Sequence, residues 1–501
     1  MKDYFPFATS SGNSYCFHRE RGTLLYCQPL LYQAIVLHRK GQLADEWFGY
    51  LLENDTDSAS AQSARANAEL AYRKFCLLRQ DGFFSEISEQ ETLRALSAKL
   101  SPNDVQSALA TTPQVVFELT ERCNLKCDYC YYGPHYVQAT PRSNRDLTFE
   151  AARALLDYIA QLSETSCGKG GSREIQIAFY GGEPLLMVPL LQQIVAHALA
   201  TFGARAKFQI STNGLLLPMC WDFLFQNDFG LQISLDGDED CSVYRRYRNG
   251  APAYDCVVRN VRALRERHPS YFERRVSFNA VLTDRKSVSA VREFFLREFD
   301  KTPEMTTPMY RNLKTTDSAE WIGVAGNTGS TEACNNHKEE WQRKELDTLL
   351  TSMLAEGFLR RYAPRHQLRD LSEAALPKSW AVTPSGVCLP FSNEVFLTAR
   401  GEILPCEQID RCHALGRISG GRVEIDFDKV AALYNRYFEQ LTSTCVSCQR
   451  ALDCSECMFM LDLNQSCVRC PHVSSEAEYM QMLSDIVGYL EHNHSEVPEV
   501  L

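Results

Sequence analysis

The sequence predicts an α/β protein built around a parallel sheet, open or barrel-like, with a smaller module before it and a cysteine-rich region after it. Three observations predict this architecture. From residue 113, apolar strand-like segments alternate with helical segments, which is typical of a parallel sheet. The segment 1–110 instead begins with strand-like pieces and continues with helices. From residue 381 the chain lacks long elements and is rich in cysteine.

Residues 1–110 are predicted to form a winged-helix-like α+β module. "NSYCFH" and "TLLYCQ" flank the turn-prone "RERG", which predicts a hairpin. "PLLYQAIVLHRKG" predicts a helix that ends at Gly41, and "LAYRKFCLLRQDGFF" predicts a second helix with a glycine stop. The polar, low-complexity segment 53–69 between them predicts a loop.

The next three segments complete the predicted division of the chain. Residues 111–312 carry five strands, with a sixth predicted near "EMTTPMY". Residues 313–380 are polar and helical, and we expect them to form a bridge. Residues 381–501 form the cysteine-rich domain, in which bound ligands must help to hold the structure together because long elements are few.

Charge and composition exclude some classes of function. The net charge of −11 argues against a nucleic-acid binder, which would neutralise phosphates with basic residues. No uncharged apolar stretch approaches the roughly 18–20 residues that a membrane span requires. The N-terminus lacks the basic and apolar segments of a signal peptide, so we expect a cytoplasmic protein. Cytoplasmic thiols stay reduced, and clusters of them indicate metal or redox chemistry rather than disulfides.

The first cysteine cluster is the loop "ERCNLKCDYCYYG", in which Cys123, Cys127 and Cys130 are spaced C-x3-C-x2-C. A zinc site needs four ligands, and His135 is the available fourth. A cube of four irons and four sulfides held by three thiolates would instead leave one iron without a protein ligand. That iron can bind another molecule, so the loop favours an iron–sulfur cluster with an open position.

This loop resembles the signature of the radical S-adenosylmethionine (SAM) superfamily, because an aromatic residue, Tyr129, precedes the last cysteine and the loop follows the first strand of a βα repeat. The resemblance implies a partial (β/α)6 TIM-like barrel with a 4Fe–4S cluster at the carboxyl ends of its strands. It further implies that the open iron binds SAM. In that family the reduced cluster cleaves SAM to a 5′-deoxyadenosyl radical, which abstracts a hydrogen from the substrate.

Other strand ends resemble the SAM contacts of that family. "GGEP" after the second strand resembles the motif that holds the SAM amino group, "ISTNG" and "ISLDG" end the next two strands, and "RRYRNGAPAYD" resembles the stretch whose arginine pairs with the SAM carboxylate. Two residues shortly before that arginine depart from the family pattern, because Cys241 and Ser242 stand where His-Asp is frequent. The implied cofactor-binding residues are Tyr129, Gly181, Gly182, Glu183, Pro184, Ser211, Asn213, Ser234 and Arg245.

The C-terminal cysteines resemble the SPASM extension of radical SAM enzymes, which binds further 4Fe–4S clusters, so that three clusters are implied in total. The same paired spacing also occurs in zinc ribbons. The resemblance assigns Cys388, Cys406 and Cys457 to an inner cluster, for which Cys412 or a substrate could supply the fourth ligand. It assigns Cys445, Cys448, Cys454 and Cys470 to an outer cluster, with Cys467 as a spare or alternative ligand.

The resemblance implies a peptide maturase. The N-terminal module resembles the recognition element that captures the leader of a ribosomally made precursor as an added strand. We expect the enzyme to abstract hydrogen from that precursor and to crosslink it, with a flavodoxin or ferredoxin as electron donor and no nucleic-acid or membrane partner. One alternative is an anaerobic sulfatase-maturating enzyme, with Glu407 as the catalytic base. A second alternative is a non-catalytic, metal-containing peptide-binding protein.

Overall fold

The computed structural model describes most of the chain in two compact units. The first takes its described residues from Met1–Ala98, Asp347–Gly386 and Tyr437–Leu501, and the second from Lys99–Leu346 and Val387–Arg436. The predicted division into four segments stays a prediction, and the expected bridge, 313–380, lies outside the described residues except for Phe358. The described residues are 3–19, 21–42, 45–48, 59–84, 93, 96–97, 99–133, 144–165, 173–283, 285–286, 288–306, 358, 389–451, 454, 456–461, 463, 468–470 and 472–493.

The N-terminal part of the first unit is a three-stranded antiparallel sheet followed by helices. The predicted hairpin is confirmed as β2 (Ser14–His18) and β3 (Thr23–Tyr26). A further strand, β1 (Tyr4–Ala8), pairs with β2 and was not predicted. It contains Pro6, which cannot donate to a strand ladder and is confined to positions such as sheet edges. The observed order β1-β2-β3 places it at an edge.

Two helices pack together beside this sheet. They are α1 (Pro29–Arg39), followed by Gly41 with φ of 74°, and α2 (Ala59–Gln80). The predicted loop 53–69 is therefore wrong from residue 59 onward. Alanine is the strongest helix former, and this segment is rich in it, so local propensity supports the helix that the buried Phe75 anchors in the core.

The second unit is centred on six parallel strands, as expected for a partial barrel. Their order is the chain order, and the predicted sixth strand is present. Parallel strands are covered on their faces, which explains why the strand Gln114–Thr120, which has a neighbouring strand on each side, is buried almost throughout. The strands are β4 (Gln114–Thr120), β5 (Ile175–Gly181), β6 (Ala206–Thr212), β7 (Gly230–Ser234), β8 (Val276–Val281) and β9 (Glu304–Thr306). The helices are α3 (Pro102–Ala110), α4 (Phe149–Thr165), α5 (Val188–Phe202), α6 (Trp221–Gln226), α7 (Tyr254–Arg267), α8 (Pro269–Arg275) and α9 (Val288–Phe299).

Four more strands extend this sheet beyond β4. The first of them pairs parallel to β4, with Val395 opposite Val115, and the next three continue antiparallel. The sheet thus includes residues that the sequence assigned to the cysteine-rich domain. These strands are β10 (Val395–Leu397), β11 (Glu402–Leu404), β12 (Gly416–Ser419) and β13 (Arg422–Ile425), followed by the helices α10 (Phe427–Cys445) and α11 (Glu476–His492). Short 3-10 helices are Pro184–Met187, Gly203–Arg205, Leu217–Met219, Cys241–Tyr244, Arg411–His413 and Met458–Met460.

The segment Pro184–Arg205 has the length and apolar composition of a membrane-spanning helix. It consists of α5 with a 3-10 helix on either side, Pro184–Met187 and Gly203–Arg205, and it connects β5 to β6. Leu191, Ile194 and Ala198 of α5 are fully buried in the second unit. The packing of a core helix in an α/β fold therefore accounts for its composition.

A buried ion network joins the end of β4 to the turn between β10 and β11 and to the 3-10 helix Arg411–His413. Arg411 donates to Glu121 at 2.6 Å and to Glu118 at 2.9 Å, and Arg400 donates to Glu121 at 2.8 Å. The two carboxylate side chains are at most 1% exposed. The backbone N–H of Ala399 also donates to Glu118. Because Glu121 lies two residues before Cys123, the network holds the root of the cysteine loop.

We predict that Arg411→Met lowers the free energy of unfolding by about 3–5 kcal/mol, because it leaves buried carboxylates without their guanidinium partner. The control is Arg417→Met, whose exposed side chain pairs with Glu424 across β12 and β13. That change should cost less than about 1 kcal/mol. Urea unfolding followed by circular dichroism measures both, and equal losses in the two variants would contradict the prediction.

Candidate active site and cysteine clusters

The loop that carries Cys123, Cys127 and Cys130 is held by backbone hydrogen bonds. Lys126 N–H donates to the Arg246 carbonyl at 2.8 Å, and Asp128 N–H donates to the Tyr244 carbonyl at 3.1 Å. The sulfur of Cys123 accepts from the backbone N–H of Leu125 at 3.4 Å. The structure therefore brings the three predicted ligands into one ordered loop at the end of β4.

The number of thiols on the loop bears on the kind of metal site. A structural zinc site takes four protein ligands in a tetrahedron. A four-iron cube can be held by three thiolates, each on a different iron, which leaves the fourth iron open. The three thiols of Cys123, Cys127 and Cys130 supply the donor set of such a cluster. The alternative zinc ligand, His135, lies outside the described residues.

Burial keeps the Cys127 thiol neutral until a metal binds. It raises the pKa of the Cys127 thiol to about 12, although the nearby Arg245 guanidinium acts in the opposite direction. A thiolate is the metal-binding form, so cluster assembly at this loop must release protons.

The two glycines of "GGEP" allow a close approach between β5 and the cysteine loop. A Cβ atom on Gly182 would lie 1.9 Å from the Arg122 carbonyl oxygen, and one on Gly181, whose φ is 130°, would lie 2.5 Å from the Thr120 carbonyl oxygen. Only glycine fits at either position. Pro184 then begins the 3-10 helix that follows.

Glu183 is fully buried and joins the ends of two strands. Its carboxylate accepts hydrogen bonds from Leu185 N–H at 3.0 Å, the Thr212 hydroxyl at 2.7 Å and Asn213 N–H at 2.8 Å. Burial raises the pKa of Glu183 to about 7, against the hydrogen bonds, which lower it. Its predicted contact with the SAM amino group stays a prediction.

The other strand-end residues are distributed unequally about the loop. The Asn213 side chain donates to Asn124 at 2.7 Å and lies 3.9 Å from the Cys123 sulfur. Ser211 donates to Gln232 at 2.9 Å, and Ser234 is the half-buried last residue of β7. Asn213 is therefore beside the cysteine loop, and Asn124 is a neighbour that the sequence analysis missed.

Arg245 lies in a buried network centred on Asp236. Its Nε and Nη2 atoms donate to the two oxygens of Asp236 at 3.0 and 2.9 Å, and the Tyr129 hydroxyl donates to the same carboxylate at 2.6 Å. The guanidinium stacks 5.4 Å from the centre of the Tyr129 ring. The Asp236 carboxylate therefore connects two predicted cofactor-binding residues, a role that local spacing could not reveal.

The predicted base Glu407 lies in a cluster with Cys406 and a residue that the sequence analysis missed, Glu394. Ligand atoms of the three lie within 4.8 Å of one another. Burial, followed by the interaction with Glu407, raises the pKa of Glu394 to about 9. Glu394 therefore holds its proton at neutral pH, since like charges so close together oppose ionisation of this buried carboxyl group.

Four C-terminal cysteines line one pocket in the first unit. Thr444, Arg450, Ala451, Glu456, His472 and Val473 complete its lining. Backbone N–H groups donate to two of the sulfurs, from Ser474 to Cys448 at 3.4 Å and from Glu456 to Cys454 at 3.3 Å. Four thiols in one pocket are the donor set of either a zinc tetrahedron or a 4Fe–4S cluster. The four are Cys445, Cys448, Cys454 and Cys470.

The structure does not test the remaining predicted ligands as a set. Cys388 and Cys467 lie outside the described residues. Cys412 is exposed at the 3-10 helix Arg411–His413. Cys406 belongs to the second unit and Cys457 to the first. The ligands of the inner cluster stay a prediction.

We predict that Glu183 makes stability pH-dependent. Its folded pKa of about 7 exceeds its ordinary value of 4.5, so the folded state favours the protonated form, and stability falls as the pH rises from about 4.5 to about 7. The loss should be about 3 kcal/mol. Glu183→Gln should remove it. Urea unfolding of the SAM-free protein at both ends of this range measures the difference, and an identical pH dependence in the two proteins would disprove the assignment.

Comparison with known proteins agrees with this geometry. Residues 117–294 match the family model of the radical SAM superfamily. The chain is 23% identical to the radical SAM cyclopropyl synthase TigE of Paramaledivibacter caminithermalis, over 33% of this chain and 34% of that one. It is 30% identical to the serine-type anaerobic sulfatase-maturating enzyme of Klebsiella aerogenes, over 29% of this chain and 34% of that one.

A solved structure of native anSMEcpe with bound AdoMet and a peptide has a TM-score of 0.49 and 18% identity, covering 77% of this chain and 98% of that one. The matched region spans between about a third and under a half of the length of the curated relatives. The three-cysteine loop and the strand-end residues around it all lie within residues 117–294, the part of the chain that matches the radical SAM superfamily.

Proposed function

We propose that this chain is a radical SAM/SPASM maturase that modifies, by crosslinking, a ribosomally made precursor peptide in the cytoplasm. The observation that carries the proposal is the loop of Cys123, Cys127 and Cys130, which offers three thiols directly after β4 and so suits a cluster with an open iron. Two relatives support the class of chemistry, one a cyclopropyl synthase and one a sulfatase-maturating enzyme.

In this proposal the chain's own residues bind and orient the cofactors. The three loop thiolates hold the cluster, and Gly181 and Gly182 let the end of β5 lie against the root of that loop. Arg245 is oriented by Asp236 through Nε and Nη2, which leaves the Nη1 edge directed to another acceptor such as the SAM carboxylate. When bound, the cluster and SAM supply a 5′-deoxyadenosyl radical that abstracts hydrogen from the substrate.

The clusters that the auxiliary cysteines would hold would accept the electron that remains after hydrogen abstraction. The proposed outer site is the four-cysteine pocket, and the proposed inner site uses Cys388, Cys406 and Cys457 with Cys412 or substrate as the fourth ligand. The Glu407 carboxyl lies 3.7 Å from the Cys406 sulfur and next to Glu394, and it is the proposed acceptor of the proton that the substrate loses. A flavodoxin or ferredoxin would reduce the SAM cluster.

The edge strand β3 is the proposed site of leader-peptide binding. Cys27 N–H donates to the Ser14 carbonyl, so alternation in an antiparallel pair directs the backbone groups of Leu24 and Tyr26 away from β2. Among the strands that the structure describes, β3 pairs with β2 only. Tyr26 is 57% exposed at this edge. An extended peptide could add to it as a fourth strand.

Two alternatives remain open to the same experiments. A sulfatase-maturating enzyme is favoured by the relative from Klebsiella aerogenes and by the carboxylate at Glu407. It would convert a sulfatase-motif peptide to a formylglycine product, detectable by mass spectrometry. A non-catalytic, metal-containing peptide-binding protein would hold zinc and would leave SAM intact.

We predict about twelve iron atoms per anaerobically reconstituted chain, four for each cluster. The triple variant with alanine at 123, 127 and 130 should lose about four of them and all formation of 5′-deoxyadenosine from SAM with dithionite. Removing Cys454 and Cys470 together should lose a similar amount of iron and retain SAM cleavage. Zinc in place of iron, or intact SAM with the wild-type protein, would refute the proposed function.

For β3, we predict that Tyr26→Pro weakens the binding of a precursor leader about threefold to tenfold, because it removes one edge N–H. Tyr26→Ala, which keeps that N–H, is the matched control. Fluorescence anisotropy with labelled peptides from short reading frames beside the gene provides the measurement. Equal affinities of the two variants would exclude strand addition at this residue.

A further inference from the structure

The buried guanidinium of Arg19 connects the N-terminal sheet to the outer cysteine pocket. Arg19 directly follows β2, and its side chain is 2% exposed. Its Nε and Nη2 atoms bind Asp3 at 3.0 and 2.9 Å, and its Nη1 donates to the backbone carbonyl of Gln449. All three residues belong to the first unit.

The position of this guanidinium is determined from every side. Asp3 is fully buried, and its second oxygen lies 3.4 Å from Nδ1 of His18. The Arg19 side chain also lies over the rings of Phe5 and Tyr479, 5.3 and 6.0 Å from their centres. A group that is paired, stacked and buried in this way has one available orientation, and that orientation faces Gln449.

Gln449 is part of the structure that places a metal-binding sulfur. It follows Cys448 directly, and its N–H donates to the Ser474 carbonyl at 2.9 Å. The N–H of Ser474 in turn donates to the Cys448 sulfur at 3.4 Å. Fixing the Gln449 carbonyl therefore fixes both the backbone beside Cys448 and the donor to its sulfur. The buried Leu96 packs in the same cluster as Cys448 and Ala451.

We infer that Arg19 is a positioning residue for the outer auxiliary cluster, which it supports from the N-terminal sheet through Asp3 and the Gln449 carbonyl. The inference rests on the proposed function only in assigning a cluster to the four-cysteine pocket. It gives the N-terminal module a role beyond peptide capture, because the sheet that ends in β3 also supports a cluster ligand. Groups that orient ligands in this way affect metal affinity roughly tenfold to hundredfold.

Arg39 offers a matched control within the same module. Its side chain is 7% exposed, binds Glu476 of α11 at 2.9 Å, donates to the Tyr4 carbonyl and stacks on Phe5. None of its described contacts reaches the cysteine pocket. Arg39 therefore reports what the loss of a buried guanidinium does to the module in general.

The test compares Arg19→Lys with Arg39→Lys in the full, anaerobically reconstituted chain. Lysine keeps the charge for Asp3 but lacks the fork that spans Asp3 and Gln449. We expect Arg19→Lys to release about four of its irons to a chelator roughly tenfold to hundredfold faster than the wild type. Arg39→Lys should match the wild type. In a background without Cys454 and Cys470, Arg19→Lys should have no further effect on iron release.

A second variant tests the inference without leaving a buried charge unpaired, which could itself cause misfolding. Asp3→Leu with Arg19→Met removes both charges of the pair together with the donor to Gln449, and it also removes the carboxylate that faces His18. It should show the same accelerated iron release. Wild-type release from this double variant, equal release from the Arg19 and Arg39 variants, or an undiminished Arg19 effect without the outer cysteines would each overturn the inference. SAM cleavage by the wild type is a separate readout, so failure of the proposed function would be recognised independently.

Discussion

The close backbone contact between Gly182 and Arg122 is the constraint on which the SAM site depends. A Cβ at Gly182 would lie 1.9 Å from the Arg122 carbonyl oxygen. Because glycine has no Cβ, the end of β5 can lie directly against the root of the cysteine loop. Glu183 N–H then donates to that carbonyl at 2.9 Å, and its carboxylate binds Asn213 at the end of β6. Asn213 reaches Asn124, beside the first cysteine. The close contact at Gly182 thus connects the ends of β4, β5 and β6 at the cysteine loop.

Buried guanidinium groups recur next to the cysteine sites, and each has a carboxylate partner. Arg245 pairs with Asp236 behind the SAM cluster loop, Arg411 pairs with Glu118 and Glu121 at its root, and Arg19 pairs with Asp3 beside the outer pocket. Buried ion pairs contribute little net stability because desolvation offsets their attraction. Their planar, forked geometry instead fixes direction, which suits loops that must present thiols to a preformed cluster.

The protein environment also prepares the thiols for ligation. Burial raises the pKa of Cys445 to about 12 and that of Cys454 to about 11, so both are neutral before metal binds. Backbone N–H groups two residues further along the chain donate to the sulfurs of Cys123, Cys406 and Cys454. These donors stabilise negative charge on sulfur once iron has displaced the proton, and such bonds tune the potential of a cluster.

The sequence by itself determined the alternation of β4 to β9 with helices and the likeness to the radical SAM superfamily, because these depend on periodicity and short spacings, and it predicted the cysteines that a metal would bind. It did not reveal β1, whose proline is tolerated only at the sheet edge that the fold provides, or the start of α2. It also missed Glu394 beside Glu407, Asn124 beside Asn213, and the contact of Arg19 with Gln449, which is 430 residues away. Such pairs become neighbours only when separate strands and loops pack together, since burial and partner choice are properties of the tertiary structure and not of local sequence.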